Sequence, residues 1–253
     1  NAKTDNTGHA INFDLEVKID STTTLYLSPN VSKNKTLDQY SSFSSSFDSA
    51  NALLNENTTN NFQDVERTSF TNNLYLYKKL KRKGRGVSFT MNNEYSDNET
   101  NLNTNTNTVF YQSGNPDDSR NQNRLDTDKM DMLELEVGYS EPITDSLKLS
   151  FETSFKTQRF RNGKTTFDFD AATNTYTDYN DLLSNQIFSR NNTFNGLVGI
   201  NITKSKYRFN LDFGTDFLNY DNQSTYLGTV TTLKNNYMYP NVRAYINYKV
   251  AKS

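Results

Sequence analysis

The sequence predicts an all-β protein: an antiparallel up-and-down meander of about nine long strands, part of a transmembrane β-barrel. Three observations carry that prediction. Apolar and polar residues alternate with period two in nine separate runs, the signature of a two-faced strand. Tight-turn signals fall near Asp20-Ser21, Lys81 to Arg85, Glu141 to Asp145, Thr203 to Lys206 and Ala251 to Ser253, with longer polar stretches in alternate gaps. Composition supplies the third: only 33% of residues are hydrophobic, yet the chain holds 16 Tyr and 17 Phe. A barrel reconciles these figures, because lipid replaces a dry interior and each strand needs only one apolar face.

The strands follow in order. The first places Ile11, Phe13, Leu15, Val17 and Ile19 on one face, with Asn12, Asp14, Glu16 and Lys18 on the other. The second sets Leu25, Leu27 and Val31 against Tyr26, Ser28 and Asn30, and the third descends through Phe70, Leu74 and Leu76. Val87, Phe89, Met91 and Tyr95 mark the fourth; Leu133, Leu135, Val137 and Tyr139 the fifth; Leu147, Leu149, Phe151 and Phe155 the sixth. The seventh carries Phe194, Val198, Ile200 and Ile202, and the eighth Tyr207, Phe209, Leu211, Phe213 and Phe217. Val242, Ala244, Ile246, Tyr248 and Val250 form the ninth.

Between them the polar stretches read as long loops at about residues 34–61, 98–128, 161–186 and 221–232, with a short helical turn near Asp181 to Ser184. Asn1 to Gly8 reads as the end of another loop. Short turns on one rim and long loops on the other is the layout of an outer-membrane barrel. Strands longer than ten residues are expected to project past the membrane on the loop side. Tyr75, Tyr77, Tyr95, Tyr139, Tyr207, Tyr220, Tyr237 and Tyr239 are expected to form an interfacial girdle. Nine is an odd number, and an open sheet would leave edges unpaired in hydrocarbon. Residues 1–253 therefore read as a single partial barrel domain belonging to a larger barrel, with no plug domain and no signal peptide visible.

Composition excludes several classes. There is no apolar run long enough for a transmembrane helix. Cysteine is absent, which removes disulfides and thiolate chemistry, and the single histidine, His9, suits neither a triad nor a histidine-based metal site. A net charge of -2 gives no general attraction to nucleic acid. The basic run Lys78 to Arg85 is best read as a solvated turn. Glu134 and Glu136 share a strand face, the arrangement that paired carboxylates of a glycosidase would need, but belong more simply to a polar wall. Asp117 with Asp118, and Asp168 with Asp170, lack the spacing of a calcium loop. The triplets Asn98-Glu-Thr100 and Asn222-Gln-Ser224 are unsurprising in a chain rich in Asn and Thr. No catalytic, cofactor-binding or metal residue is named, and nothing in the sequence supports an enzyme.

Tyr237-Met-Tyr-Pro240 followed by the alternation to Val250 resembles the descending strand in barrels of Bacteroidota TonB-dependent receptors. Asp20-Ser-Thr-Thr-Thr-Leu-Tyr-Leu-Ser-Pro29, within Ile11 to Lys33, resembles an earlier hairpin of that family. Thr108-Val-Phe-Tyr111 with Pro116-Asp-Asp-Ser-Arg-Asn121 resembles an extracellular loop. The similarity lies in pattern and cadence over most of the chain. It implies an outer-membrane location, a lipid environment and a plug inside the completed barrel. It also implies import of a nutrient (siderophore, glycan or peptide) powered by the TonB complex through that plug. Phe110, Tyr111, Tyr176 and Tyr179 would then be candidate stacking contacts in the loops, or residues that pack the loops together. A surface adhesin sheet and a passive porin are the alternatives.

Overall fold

The computed structural model describes residues 1–111, 114 and 116–249. Its strands are β1 (Ala2–Asn12), β2 (Leu15–Lys18), β3 (Thr23–Phe47), β4 (Leu53–Lys79), β5 (Gly86–Phe110), β6 (Asp118–Pro142) and β7 (Leu147–Asp170). After these come β8 (Thr175–Tyr179), a short 3-10 helix (Asp181–Leu183), β9 (Asn185–Thr203), β10 (Tyr207–Tyr226) and β11 (Thr229–Tyr248). All belong to one antiparallel sheet in the order β1-β3-β4-β5-β6-β7-β9-β10-β11, with β2 also on β3 and β8 on the tip of β7. The eleven strands therefore occupy nine positions, and each of the nine alternating runs lies on its own position. β1 and β11 do not pair with each other, so the sheet is an open arc.

The first position is split for a local reason. Asn12 pairs with Asn30 and Leu15 with Leu27, so the register runs on unbroken between β1 and β2. The residue facing Phe13 is Pro29, whose carbonyl accepts the Phe13 N–H (3.3 Å) but which has no N–H to return. At the other edge, Lys249 N–H donates to Lys206 (2.8 Å), so odd-numbered donors of β11 point toward β10. Pro240 is even-numbered. Its missing donor faces the open edge and costs no ladder bond.

Four tight turns lie on one rim, where the sequence predicts them. At the β2–β3 turn the Asp20 carboxylate accepts the Thr22 N–H (2.6 Å) and the Thr23 hydroxyl (3.0 Å). Leu80 N–H reaches the Arg85 carbonyl (3.0 Å) with Gly84 at φ +83, which makes the basic run a turn. Ile143 N–H closes onto Leu147 (2.9 Å), and Lys204 N–H onto Tyr207 (2.8 Å). The turn predicted at Ala251 to Ser253, like Val250 and Asn115, lies outside the described residues.

The opposite rim corrects the prediction of long loops. Residues 34–47 and 53–61 are paired strand, joined by a turn at residues 48–52 in which Asp48 accepts the Ala50 and Ala52 N–H groups (2.8 Å each). Most of 98–128 is likewise the far half of the β5–β6 hairpin, and 221–232 is strand around Leu227-Gly228. Both turn residues there have positive φ (49 and 69), as a two-residue hairpin turn requires. Residues 161–170 extend β7, leaving β8 and the 3-10 helix as the excursion within that stretch, with the helix where the sequence places it. Asn1 to Gly8 is not loop either, since β1 pairs with β3 from Ala2 to Tyr40 onward. These far halves are polar on both faces, so they lack the alternation by which a strand is recognised.

No dry core exists among the described residues. Only Val65 and Leu197 are buried hydrophobics, each 6% exposed. The accessible surface is 16995 Å², against about 11,000 Å² for a compact monomer of this mass.

Candidate functional site

The register builds one continuous apolar face. Opposed residues of an antiparallel pair share a face, and one row runs Leu15, Leu27, Leu74, Met91, Leu135, Phe155, Phe194, Phe217 and Met238. Every member is apolar, across all nine positions. Neighbouring rows toward the tight turns add Val17, Leu25, Leu76, Phe89 and Val137, then Phe151, Val198, Phe213 and Val242. Many are open to the surroundings, with Met238 70%, Phe213 64% and Phe194 50% exposed. Such a surface far exceeds the few hundred Å² of contiguous apolar patch that soluble monomers carry.

The belt is oblique to the strands. On β3 it centres near residue 28, whose row leads to Leu218 on β10; on β10 it centres near residue 212. A drift of about six residues over six strand steps is about 20 Å against about 29 Å, an inclination of about 35°. Membrane barrels tilt their strands by about 35–45°. Along β7 the belt runs from Leu147 to Phe155, about 26 Å of strand and about 22 Å normal to the belt. Outer-membrane barrels carry an apolar band of about 25 Å.

The other face is polar over the same stretch. The row backing the apolar one reads Glu16, Tyr26, Tyr75, Thr90, Glu136, Ser154, Asn195, Asp216 and Tyr239. Asn195 donates to Asp216, whose other oxygen accepts from Asn241 (3.1 Å). Glu134 accepts from Asn92 (3.2 Å), placing both Glu134 and Glu136 on this wall as the sequence predicts. Tyr75 and Tyr77 stack here (6.4 Å between centroids), with Tyr26 tilted against Tyr75.

That corrects the predicted girdle. Tyr95, Tyr139 and Tyr207 lie on the apolar face, but Tyr75, Tyr77, Tyr220, Tyr237 and Tyr239 share the polar one. Position near a strand end does not fix which face a residue takes; the parity of the register does.

Beyond the belt the strands continue with polar side chains on both faces, joined by cross-strand amide and hydroxyl bonds. Asn123 donates to Asn101 (2.6 Å) and Asn103 (2.8 Å), Ser41 to Asn60 (2.6 Å), and Asn57 to Thr108 (2.8 Å). The four candidate aromatics sit at this distal rim but do not converge. Tyr111 hydroxyl donates to Glu56 (2.8 Å), which raises the phenol's pKa from its usual value. Tyr176 donates to Asn121 (2.8 Å) and meets Phe169 edge-on, Tyr179 meets Phe167, and the Phe110 N–H goes to Asp117 (3.0 Å). Tyr176 borders a depression of about 460 Å³, alongside Gln39, Phe62, Asn103 and Asn105. Phe62 is missed from sequence because it stands alone in a polar stretch.

The remaining acids are structural. Asp118 pairs with Arg120 (2.9 Å), and Asp168 accepts from Gln122 and Asn180 (2.7 Å each). Asp170 caps the turn to β8 by accepting the Ala172 N–H (2.8 Å) and the Thr173 hydroxyl (2.9 Å), and these bonds lower its pKa. Among the described residues no group of three or more such side chains is placed to hold a metal. His9 stands exposed in β1 opposite Lys33.

No protein-family model and no curated protein matches this chain. Among solved structures it is similar to the ferric yersiniabactin uptake receptor FyuA from Yersinia pestis, at 10% identity and a TM-score of 0.36. That similarity covers 90% of this chain and 43% of the receptor, so the chain spans less than half of its length.

Proposed function

We propose that this chain forms part of the wall of a bacterial outer-membrane β-barrel, with its apolar face against acyl chains and its polar face toward a water-filled interior. The observation that carries this reading is the unbroken nine-residue apolar row from Leu15 to Met238, backed by a row with Glu16, Glu136 and Asp216. Burying those carboxylates dry would cost several kcal/mol each, and leaving the apolar belt in water is equally unfavourable. One face in lipid and one in water satisfies both. The obliquity and height of the belt support the same placement.

Within that reading the barrel belongs to a receptor of the TonB-dependent kind. It would import a nutrient, hold a plug domain against the polar wall and draw energy from the TonB complex. What supports this finer step is the resemblance of Tyr237 to Val250 and of Asp20 to Pro29 to strands of that family. No enzymatic role is proposed.

Two measurements test the reading. The protein is expected in the outer-membrane fraction and monodisperse only in detergent or lipid; a folded, monodisperse protein in plain buffer favours an adhesin-like sheet instead. In planar bilayers the complete barrel is expected to stay closed to ions and to bind the periplasmic energy-coupling protein. Steady conductance without such a partner would make it a passive pore.

A further inference from the structure

Just beyond the belt, on its own face, lies a group of arginines that the barrel reading leaves unexplained. Arg159 on β7 is directly opposite Arg190 on β9, and Arg161 is the next residue on that face of β7. All three are exposed. Like charges opposed across an antiparallel pair repel, with Cβ atoms only about 5 Å apart. The ion-paired arginines of the described residues are Arg82, Arg85, Arg120 and Arg124, and these three are not among them.

The neighbouring charges do not cancel the excess. Asp221, opposite Arg190, is held by Lys234 (3.1 Å). Lys129, opposite Arg161, adds a cation and brings its own partner Asp97 (2.7 Å). Asp131, opposite Arg159, is the one acid among the residues directly opposite these arginines that is not already held by a lysine. Phe188, opposite Arg161, has the Arg190 guanidinium 5.9 Å from its ring centre.

Depth gives the second observation. Arg159 and Arg190 each lie four residues beyond Phe155 and Phe194, the last apolar residues of the belt on their strands. That is about 13 Å of strand and about 11 Å along the belt normal, the zone of polar headgroups outside the hydrocarbon. Between belt and arginines is an open depression of about 600 Å³ whose lining includes Phe70, Leu133, Arg159 and Arg161 together with Glu94 and Asp131; Arg190 stands just outside it on the next strand. Its lining is apolar on the belt side, and on the far side Arg159 and Arg161 outnumber the Asp131 carboxylate on that face. An acyl chain and an anionic headgroup need those two surfaces side by side.

We propose that Arg159, Arg161 and Arg190 form a binding site for the phosphate of a membrane lipid in the leaflet nearest the distal rim. The proposal rests on the barrel reading. Planar guanidiniums offer paired donors that match phosphate oxygens, and one phosphate between Arg159 and Arg190 turns their repulsion into a shared contact. Free phosphate satisfies the arginines but leaves the apolar floor unused.

The test is native mass spectrometry of the whole protein in a nonionic detergent, offered phosphatidic acid, phosphatidylcholine or inorganic phosphate. Phosphatidic acid is expected to stay bound and the other two to be lost. Each cation at an anionic surface contributes about a fivefold preference, so the triple variant R159Q/R161Q/R190Q is expected to weaken retention about 100-fold. Removing three cations at the tight-turn rim (K204Q/K206Q/K249Q) is expected to change it less than about threefold. Equal retention by wild type and the arginine variant overturns the proposal. So does displacement of phosphatidic acid by inorganic phosphate at equal concentration, which would make this a free-anion site. Far-UV circular dichroism in the same detergent establishes that each variant is folded. A wild type monodisperse without detergent would instead sink the barrel reading itself, so the two failures are told apart.

Discussion

The two halves of each hairpin are built by different rules. Toward the tight turns, the strands separate an apolar face from a polar one, as in Leu135 and Glu136, or Phe213 and Asp212. Toward the distal rim the same strands are polar on both faces. Side chains there bond across the sheet: Lys35 to Asp64 (2.9 Å) and Glu66 (3.0 Å), Thr59 to Thr106 (3.3 Å), Asn123 to two asparagines. On the proposed placement, medium accounts for the contrast. A strand crossing lipid must show hydrocarbon on one side, whereas a strand standing in water on both sides stays in the sheet through its backbone ladder and its cross-strand polar pairs.

The contrast is broken most severely by a charge in the belt. Leu149→Arg, beside Ile200 on the apolar face, is expected to cost about 2–4 kcal/mol of folding free energy in lipid. Ser150→Arg, one residue on and facing Gly199 and Asp212, is expected to cost about 1 kcal/mol or less. Urea-dependent unfolding in liposomes measures both, and equal losses would mean that the two faces see the same medium.

A pair of glycines sharpens the same division. A Cβ on Gly214 would collide with the backbone carbonyl of Gly196 and come within 2.7 Å of the buried Leu197 side chain. Gly214→Val is therefore expected to destabilise by about 1–3 kcal/mol. A Cβ on Gly196 would meet nothing within 4 Å. Gly196→Ala is expected to stabilise by about 0.4–1 kcal/mol by restricting the unfolded chain. If Gly214→Val proves harmless in the same assay, the packing on the polar face is looser than these contacts imply.

In the distal half the expected effects are smaller and local. Asn123→Ala removes two amide bonds and is expected to cost about 1 kcal/mol. Hydrogen exchange should quicken around Asn101, Asn103 and Asn123 and stay unchanged at Leu135 and Phe155. Faster exchange along the whole hairpin would mean that the distal ladder supports the belt.

This division also explains what was legible in the sequence. The nine strand positions, their facing residues and the four described tight turns follow from alternation and turn chemistry, because two faces of opposite character, lipid-facing and water-facing in the proposed placement, leave the contrast that alternation records. Residues 34–47, 98–110 and 221–226 read as loop because Asn, Ser and Thr suit water on either face and leave no period to find. Their strand character comes from register carried outward from Leu27, Met91 and Phe217, a long-range property absent from any local window. The same blindness hid Phe62 and the arginine group. Arg159 and Arg161 belong to one polar run and Arg190 to another, and only the β7–β9 pairing brings them together.

The smallest expected effect belongs to the β2–β3 turn. The Asp20 carboxylate accepts the Thr22 hydroxyl (2.7 Å), the Thr22 N–H and the Thr23 hydroxyl, with Lys78 at 3.9 Å, and these hold its pKa at about 2. In the unfolded chain an aspartate titrates near about 3.9. A depressed pKa means that the turn is supported by the ionised form. The support is complete above about pH 4 and fades as pH falls toward about 2. Amide exchange at Thr22 and Thr23, corrected for its intrinsic pH dependence, is therefore expected to lose protection between those limits, while the Lys204 N–H to Tyr207 turn, which has no carboxylate cap, keeps its own. Asp20→Ala should show the unprotected behaviour at every pH. Parallel loss at both turns would assign the change to the sheet as a whole and remove Asp20 from any special part in it.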